Sequence, residues 1–224
     1  MLKKLIKFLG YLRIVINIKK FERYLFYIKA FESGFFKKTG WTDSCQKNYI
    51  NAIDGSGMPI PMMSYSIIEF FKERLSSDMI LFEYGSGNST LFFSKLVKKV
   101  ISVEHDKEWY EKLQSKLPEN VELYFVKLEY NSDYCRMVQK LNIEFDIIIV
   151  DGRDRVNCLK NSYEYLKEDG IIILDDMYRE RYQEVIPFLT NKGFRHISFS
   201  GLSPGQLLHH KTVVFYKSNN VVGI

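Results

Sequence analysis

An apolar run that breaks into Gly-x-Gly is the feature of this sequence that most restricts its fold. Residues 80–84 are mainly apolar, Gly85 and Gly87 follow, and residues 88–90 lead into a second apolar group. This order predicts a strand, a tight turn and a capped helix. Glycine permits backbone conformations that other residues avoid, and a helix N-terminus offers unpaired N–H groups. We therefore expect a small ligand over this turn, although such turns also use glycine for local reasons alone.

A second strand points to a ligand with a ribose. Residues 100–103 end in Glu104, about 20 residues after the glycines, where α/β nucleotide-binding units place the acid that accepts ribose hydroxyls. Dinucleotide enzymes usually carry a third glycine where this chain has Thr90, and its absence disfavours NAD or FAD. The turn also lacks Gly-Lys-Ser/Thr, which excludes a P-loop.

These motifs and three later acids carry a resemblance to a known family. Over residues 60–218, the chain resembles class I S-adenosylmethionine-dependent methyltransferases at Glu83-x-Gly85-x-Gly87, Glu104, Asp151 and Asp175-Asp176. The resemblance implies an α/β fold with a Rossmann-like, doubly wound, seven-stranded sheet whose last strand is antiparallel. It also implies S-adenosylmethionine as cofactor, with the glycines beside its methionine part and Glu104 at its ribose. The candidate cofactor-binding residues are Glu83, Gly85, Ser86, Gly87, Ser89, Glu104 and His105, with Lys127, Leu128 or Glu129 beside adenine.

Composition sets the number of domains. A chain of 224 residues that is 46% hydrophobic has room for one α/β domain with an appendage. Residues 1–38 carry a net charge of +8 and the remainder carries −3. We predict a basic amphipathic helical segment (1–38), a connector (39–64) that can close over the site, a methyltransferase domain (65–218) and a tail (219–224). The three cysteines form no Cys-x-x-Cys pair, which favours a reduced, cytoplasmic protein.

The basic segment has several interpretations. Its longest apolar run, residues 8–18, is shorter than the ~20 residues of a membrane span, and no small-residue cleavage site follows it. The segment can lie on an anionic membrane, which predicts a peripheral protein at the inner membrane face. It can equally pack on the domain or on a second subunit, giving an oligomer. Nucleic-acid binding is a third, less favoured interpretation.

The rest of the chain alternates between helix-like and strand-like segments. Helices are predicted at 67–75 (capped by Ser64 or Ser66), from Asp106 to Leu117, and at 132–141, 156–166 and 179–191. Further strands are predicted at 121–128, 145–150, 171–174, 194–200 and 212–217. Asp54-Gly55-Ser56-Gly57 resembles a phosphate loop, but no strand precedes it, so we predict a turn.

Acidic residues follow successive predicted strands and therefore share one rim of the sheet. The candidate catalytic residues are Asp151, Asp154, Asp175 and Asp176, although strand-tip carboxylates are often only helix caps. The layout of Asp151, Asp175 and Asp176 is similar to that of catechol O-methyltransferase-like enzymes, which implies Mg²⁺ or Mn²⁺ on these three residues. Asp176 replaces that family's asparagine, and the loop Asp-Gly-Arg-Asp-Arg departs from its pattern.

A metal-free site is the alternative. Asp151 or Asp154 would then be the base, and Arg153, Arg155 or Arg179 would hold an anionic substrate or form surface ion pairs. His105, His209 and His210 are further candidates for catalysis, against the ordinary structural role of a lone histidine.

One missing motif bears on the acceptor. Nucleic-acid amino-methylating relatives usually carry Asn/Asp-Pro-Pro-aromatic after strand four, where this chain has Asp151-Gly152-Arg153-Asp154. We therefore expect methylation of a hydroxyl oxygen, such as that of a sugar in a glycan or glycolipid, rather than of a nucleic acid. The alternatives are a metal-dependent O-methyltransferase of small, catechol-like molecules and a non-catalytic cofactor-binding or membrane-docking module.

Overall fold

The structure, a computed structural model, describes residues 18–45 and 51–224. Its helices are α1 (Ile18–Ser33), α2 (Phe35–Lys38), α3 (Trp41–Ser44), α4 (Tyr65–Arg74), α5 (Asn88–Phe93), α6 (Lys107–Gln114), α7 (Arg155–Ser162) and α8 (Val185–Thr190). The strands are β1 (Ile80–Tyr84), β2 (Lys99–Glu104), β3 (Val121–Phe125), β4 (Phe145–Val150), β5 (Leu166–Leu174), β6 (Arg195–Gly201) and β7 (His210–Tyr216). Short 3₁₀ helices cover Met137–Leu141, Tyr163–Tyr165 and Glu180–Tyr182.

The seven strands form one sheet in the order β3-β2-β1-β4-β5-β7-β6. Strands β1 to β5 pair in parallel, whereas β7 runs antiparallel to both of its neighbours. The predicted doubly wound sheet with an antiparallel last strand is thus confirmed. Because parallel strands end on the same side, the residues that follow β1, β2, β4 and β5 meet at one edge.

Alternating side chains of the central strands enter two hydrophobic cores, one on each face. Phe82, Ile148 and Ile172 belong to one core, and Leu81 and Ile147 to the other. Both faces of the central strands are covered, which explains why these strands are nearly continuous apolar runs in the sequence. This rigid centre positions the loops at its carboxyl edge.

The connector and the C-terminal tail pack on the same body. Ala52 and Ile60 are buried in the second core, and the side chain of Asn88 donates hydrogen bonds to Ala52 O (2.7 Å) and to Asn51 Oδ1 (3.0 Å). The predicted connector thus contacts the first residue of α5, next to the glycine turn. In the tail, Val222 is buried in that core.

Two predicted helices have a different form. The segment predicted as a helix at 132–141 is a series of turns followed by a 3₁₀ helix, and positive φ angles of 52° at Asn131 and Asn142 bound it. A segment this short cannot repay the cost of helix nucleation without strong packing of a long face. The predicted helix at 179–191 is divided into a 3₁₀ turn and α8, and Pro187 lies in the first turn of α8, where its missing N–H is tolerated.

Smaller differences concern the ends of elements. Strand β3 stops at Phe125, three residues before the predicted end. Asp106 caps α6 as predicted, accepting a hydrogen bond from Trp109 N at 3.0 Å. Residues 54–57 form the predicted turn, closed by a hydrogen bond from Gly57 N to Asp54 O. Among the described residues, no helix has the length and apolar character needed to cross a bilayer. The prediction for residues 1–17 lies outside the described residues.

Candidate active site

The turn after β1 is pressed against the loop after β4. Gly85 has a φ of 94°, and a Cβ atom there would lie 3.1 Å from the backbone of Gly152. A Cβ atom on Gly152 would in turn overlap the hydroxyl of Tyr134. Both positions therefore require glycine, one for its backbone angle and the other for space. Gly87 has no such constraint, since a Cβ atom there would lie 3.6 Å from the nearest atom of the Trp109 indole, which is an ordinary van der Waals distance.

Glu83, a buried residue of β1, stabilises the glycine turn through hydrogen bonds. Its carboxylate is fully buried and accepts hydrogen bonds from the hydroxyls of Ser89 (2.5 Å), Thr90 (2.6 Å) and Ser102 (2.9 Å). Burial raises the pKa of Glu83 to about 7, against the lowering effect of these three donors. Thr90 also accepts a hydrogen bond from Gly87 N at 3.0 Å, so one side chain joins Glu83 to the turn. Glu83 was predicted to bind the cofactor; its three hydrogen bonds instead favour a role in fixing the turn.

Glu104 lies at the tip of β2 with one acceptor position to spare. Its Oε1 accepts hydrogen bonds from the backbone N–H groups of His105 (2.7 Å) and Asp106 (2.8 Å), and its Oε2 accepts one from Ser86 Oγ (2.8 Å). A carboxylate has about four acceptor positions, so Oε2 can take one further donor. A ribose hydroxyl fits that position.

A cleft of about 370 Å³ opens above these groups. Most of the predicted cofactor residues line it, and so does Trp109, whose Nε1 donates to Ser86 O at 2.9 Å. The lining residues are Gly85, Ser86, Ser89, Glu104, His105, Asp106, Trp109, Asp151, Gly152, Arg153 and Arg155. The cleft thus joins the glycine turn, Glu104 and the loop after β4, where the resemblance predicts S-adenosylmethionine.

Arg155, the first residue of α7, connects the acids that follow β4 and β5. Its Nη2 lies 3.0 Å from Asp151 Oδ1 and 3.1 Å from Asp176 Oδ2, and its Nη1 lies 3.8 Å from Asp175 Oδ2. Nε and Nη2 also donate to the carbonyls of Gly152 and Asp151. The guanidinium is almost completely buried, so these contacts are screened little by water.

Asp175 is held by the antiparallel strand β7. Its carboxylate contacts His210 Nε2 at 2.9 and 3.0 Å and accepts a 2.5 Å hydrogen bond from Thr212 Oγ1. Burial alone would raise the pKa of Asp175, but His210, Arg155 and Thr212 lower it below its usual value. Burial would likewise lower the pKa of His210, but pairing with Asp175 raises it. Each group therefore favours the charged form of the other.

Asp151 and Asp176 differ in access and in charge balance. The side chain of Asp151 is 21% exposed and lines the cleft, whereas those of Asp175 and Asp176 are 3% and 10% exposed and do not. Burial and the nearby negative charge of Asp175 raise the pKa of Asp151 well above its usual value, and Arg155 only partly opposes this. Asp176 has a second cation, Arg179, whose Nη2 lies 2.8 Å away.

The geometry does not fit a divalent cation shared by the three predicted ligands. The Arg155 guanidinium lies among Asp151, Asp175 and Asp176, in the space such an ion needs. Asp175, Asp176 and His210 present atoms within 4.8 Å of one another, and here His210 Nε2 already contacts both oxygens of Asp175, at 2.9 and 3.0 Å. Three basic side chains already balance the three carboxylates.

Asp154 belongs to a neighbouring cleft. Its Oδ2 accepts a hydrogen bond from Asn131 N, its Oδ1 accepts one from Asn157 Nδ2, both at 2.7 Å, and its φ is 50°. That cleft is also lined by Leu128, whereas neither residue lines the cofactor cleft. The structure therefore separates Asp154 from the other three predicted catalytic acids. His105 lies in the cofactor cleft and His210 in the acid network, while His209 joins neither group.

Sequence reasoning missed three residues of this site. Trp109 forms a wall of the cleft, Gly152 permits the contact with the glycine turn, and Thr212 orients Asp175. For Trp109 a signal existed, namely an aromatic residue in the first turn of the helix after the ribose acid. Thr212 carries no local signal, because only the pairing of β7 with β5 brings it to Asp175.

Comparison with known proteins supports the class that this geometry indicates. Residues 82–177 match a family model described as a methyltransferase domain. The structure is similar to an rRNA methylase from Streptococcus thermophilus, with a TM-score of 0.52, 19% identity and coverage of 70% of this chain and 99% of that one. A methyltransferase-like protein from Silicibacter pomeroyi gives a TM-score of 0.52 at 20% identity, covering 71% of this chain and 89% of that one.

A third similar structure is that of a decarboxylase. A precorrin 8W decarboxylase from Methanobacterium thermoautotrophicum gives a TM-score of 0.54 at 18% identity, with coverage of 74% of this chain and 96% of that one. At these identities the likeness concerns the fold. No curated protein sequence matches the chain.

The matched segment includes the glycine turn, the ribose acid and the acids after β4 and β5. This match, which covers less than half of the chain, and the sheet order are consistent with a class I, Rossmann-like methyltransferase that uses S-adenosylmethionine.

Proposed function

We propose that this protein transfers a methyl group from S-adenosylmethionine to a hydroxyl oxygen, and that the hydroxyl belongs to a sugar of a glycan or glycolipid. Asp151 is the base, and no metal ion is required. The observation that carries the proposal is the position of Asp151. Among the acids held by Arg155 it is the one that lines the cofactor cleft.

The chemistry follows from the access and charge of that carboxylate. When bound, S-adenosylmethionine supplies an electrophilic methyl group on a sulfonium. The acceptor oxygen forms a bond to this carbon as the carbon–sulfur bond breaks, and the hydroxyl proton goes to Asp151. A raised pKa suits Asp151 to this role, because a stronger base removes a hydroxyl proton more readily. Arg155 holds the carboxylate in place through Oδ1 and leaves Oδ2 for the acceptor.

In this mechanism basic side chains, rather than a metal ion, balance the charge of the acids. A divalent ion in such a site would orient the acceptor and neutralise acids. Here Arg155, Arg179 and His210 already neutralise Asp151, Asp175 and Asp176. This distinguishes the proposal from a catechol-like, metal-dependent enzyme.

A sugar acceptor is supported by aromatic surface beside the acids. Tyr178 follows Asp175-Asp176 after one residue, is 49% exposed, and its ring lies 6.1 Å from that of His210. The Arg179 guanidinium lies 5.5 Å from the same ring. An exposed ring next to hydrogen-bonding groups suits the apolar face and the hydroxyl edge of a pyranose.

Membrane proximity is the second part of the proposal. Consecutive large apolar residues of α1 are exposed, with fractions between 50% and 70%: Tyr24, Leu25, Phe26, Tyr27 and Ile28. Arg23 and Lys29 flank this run, and residues 1–38 carry a net charge of +8. Exposed apolar side chains beside positive charge favour the interface of an anionic membrane.

The test compares Asp151→Asn with Asp154→Asn in the full chain. Each variant is incubated with radiolabelled S-adenosylmethionine and with glycan and glycolipid fractions, and calorimetry measures its affinity for S-adenosylhomocysteine. Asp151→Asn should keep that affinity and lose methyl transfer by about 10²–10⁴-fold. Asp154→Asn should keep that affinity and lose far less methyl transfer than Asp151→Asn, because Asp154 does not line the cofactor cleft. Equal activity of Asp151→Asn and the wild type would refute the assigned base, and failure of the wild type to bind S-adenosylhomocysteine would refute the cofactor site.

Metal dependence is measured in the same assay. Methyl transfer should be unchanged by a chelator and by added Mg²⁺ or Mn²⁺. Activity that a chelator abolishes and a metal restores would overturn the metal-free mechanism.

A further inference from the structure

A second cleft of about 270 Å³ lies beside the cofactor cleft and contains three arginines. Arg153 and Arg155 line both clefts, whereas Arg181 lines only the second. The other lining residues are Leu128, Tyr130, Asp154, Val156 and Tyr182. A group bound here would therefore be next to the methyl-transfer site without occupying the space of the cofactor.

The positive charge of this cleft is concentrated around one ring. The Arg181 guanidinium lies 4.9 Å from the ring centroid of Tyr182, and its Nη2 donates to the hydroxyl of that tyrosine at 3.1 Å. The Arg155 guanidinium lies 5.6 Å from the same centroid. Two cations on one ring repel each other, and an anion between them would relieve that repulsion.

Arg155 is paired with the acids after β4 and β5, but Arg153 and Arg181 are not paired with any acid nearby in the described part of the chain. Within residues 18–45 and 51–224, no carboxylate lies within ion-pair distance of Arg153 or Arg181. Asp154 is the acid among the lining residues, and it contributes one negative charge against the three arginines; its oxygens accept hydrogen bonds from Asn131 and Asn157.

Arg155 adds a donor that is not used. Its Nη1 is buried and makes no hydrogen bond to any described residue, although Asp175 Oδ2 lies 3.8 Å away. A buried N–H group without an acceptor costs free energy, and an acceptor that reached Nη1 when the cleft is occupied would recover it.

We infer that the second cleft binds an oxyanion, a phosphate or a carboxylate, carried by the methyl acceptor. The planar forks of the arginines match the paired oxygens of such groups. This inference rests on the proposed methyl transfer and specifies its substrate class: the methylated sugar bears an acidic group close to the reacting hydroxyl. Of the arginines considered from the sequence, Arg153 and Arg155 contribute, while Arg179 is committed to Asp176.

The first experiment uses inorganic phosphate as the probe on the full chain saturated with S-adenosylhomocysteine, so that the cofactor cleft is filled. Calorimetry compares the wild type with Arg181→Gln, which leaves the cofactor cleft unchanged. Arg195→Gln is the matched control, because Arg195 is an exposed arginine at the start of β6 and outside this cleft. We expect phosphate binding that weakens about tenfold or more in Arg181→Gln and is unchanged in Arg195→Gln.

The second experiment determines whether the cleft prefers a phosphate or a carboxylate, and whether that group belongs to the methyl acceptor or is a free anion. Methyl transfer is measured with sugars that differ only in a phosphate, a carboxylate or neither. Preference for an acidic sugar that falls tenfold or more in Arg181→Gln, with unchanged affinity for S-adenosylhomocysteine, supports the inference. Equal use of neutral and acidic sugars, phosphate binding insensitive to Arg181→Gln, or equal losses in both variants would overturn it. If the wild type does not bind S-adenosylhomocysteine, the proposed function itself is overturned.

Discussion

Glu83 is a carboxylate that the fold has removed entirely from water, and its ionisation is therefore linked to stability. Its pKa is raised from 4.5 to about 7, chiefly by burial. The folded protein thus binds this proton more tightly than the unfolded chain does. Between these two pH values the unfolded state holds fewer protons, so the free energy of unfolding decreases as pH rises.

Replacing Glu83 with glutamine should remove this pH dependence. As pH rises from about 4.5 to 7, wild-type protein should lose about 3 kcal/mol of stability relative to Glu83→Gln, since one pKa unit corresponds to about 1.4 kcal/mol. Chemical denaturation at several pH values measures the difference. Glu73→Gln on the exposed surface of α4 is the control for loss of a carboxylate. A difference between wild type and Glu83→Gln that stays constant with pH would contradict the expected ionisation.

Trp109 provides a direct signal of cofactor binding. The chain has two tryptophans, and Trp109 lines the cofactor cleft, whereas Trp41 is buried and donates to Gln206 O. S-adenosylhomocysteine should therefore change the fluorescence of the wild type and of Trp41→Phe, and should leave that of Trp109→Phe unchanged. The same titration gives the affinity of each protein. A fluorescence change that persists without Trp109 would place the ligand elsewhere.

At the scale of elements, local patterns predicted which segments form strands and in what order they follow one another along the chain. The apolar runs that became β1, β4 and β5 are buried on both faces, which is the condition that produces such runs. The segment at 132–141 was predicted as a helix, and the segment at 179–191 as a helix with a kink at Pro187. The structure divides them into short turns and helices, and this depends on packing that the local sequence does not encode.

The candidate site was predictable only in part, for the same reason. Glu104 and Asp151 follow strands, so their position at the carboxyl edge could be inferred from the sequence. That Arg155 would lie among Asp151, Asp175 and Asp176 could not, because it requires the relative placement of α7, β4 and β5. The same acids were therefore compatible with a metal ion when considered without their partner.

The contact between His210 on β7 and Asp175 after β5 should also make stability depend on pH. Its effect should change above pH 6.5 and below pH 3.8. Pairing with Asp175 raises the pKa of His210 above its usual value of 6.5, against the effect of burial. The stabilisation is therefore fully present below pH 6.5 and is lost as pH rises through the raised pKa. The lowered pKa of Asp175 removes it again at acidic pH, as that group becomes protonated below its usual value of 3.8.

His210→Gln should accordingly destabilise the protein by about 1.5–3 kcal/mol near pH 6 and by less near pH 9. Denaturation of wild type and variant at both pH values gives the comparison. His196→Gln on β6 is the control, because that imidazole is exposed and contacts the ring of Phe215. An equal cost at both pH values would show that His210 contributes packing rather than an ion pair.

At the scale of the whole molecule, charge and apolar surface are divided between two regions. The basic segment and the exposed apolar run of α1 are at the N-terminal end of the sequence, and the remainder carries a net charge of −3. An acidic catalytic domain is repelled by an anionic bilayer, so α1 would have to supply the attraction. Membrane binding should therefore depend on both the apolar and the basic side chains of this helix.

The corresponding prediction concerns vesicle binding by the full chain. The wild type should sediment with vesicles of phosphatidylglycerol and not with those of phosphatidylcholine, and salt should weaken binding because it screens surface charge. Replacing Leu25 and Phe26 with aspartate should reduce binding about tenfold or more, because each change removes apolar surface and adds negative charge. A matched double change of Glu164 and Glu168 to aspartate should leave binding unchanged. S-adenosylhomocysteine affinity is measured for every protein to show that each is folded. If the α1 variant then binds vesicles as well as the wild type, α1 is not the membrane-binding element. Its exposed apolar run would then be available for packing against protein.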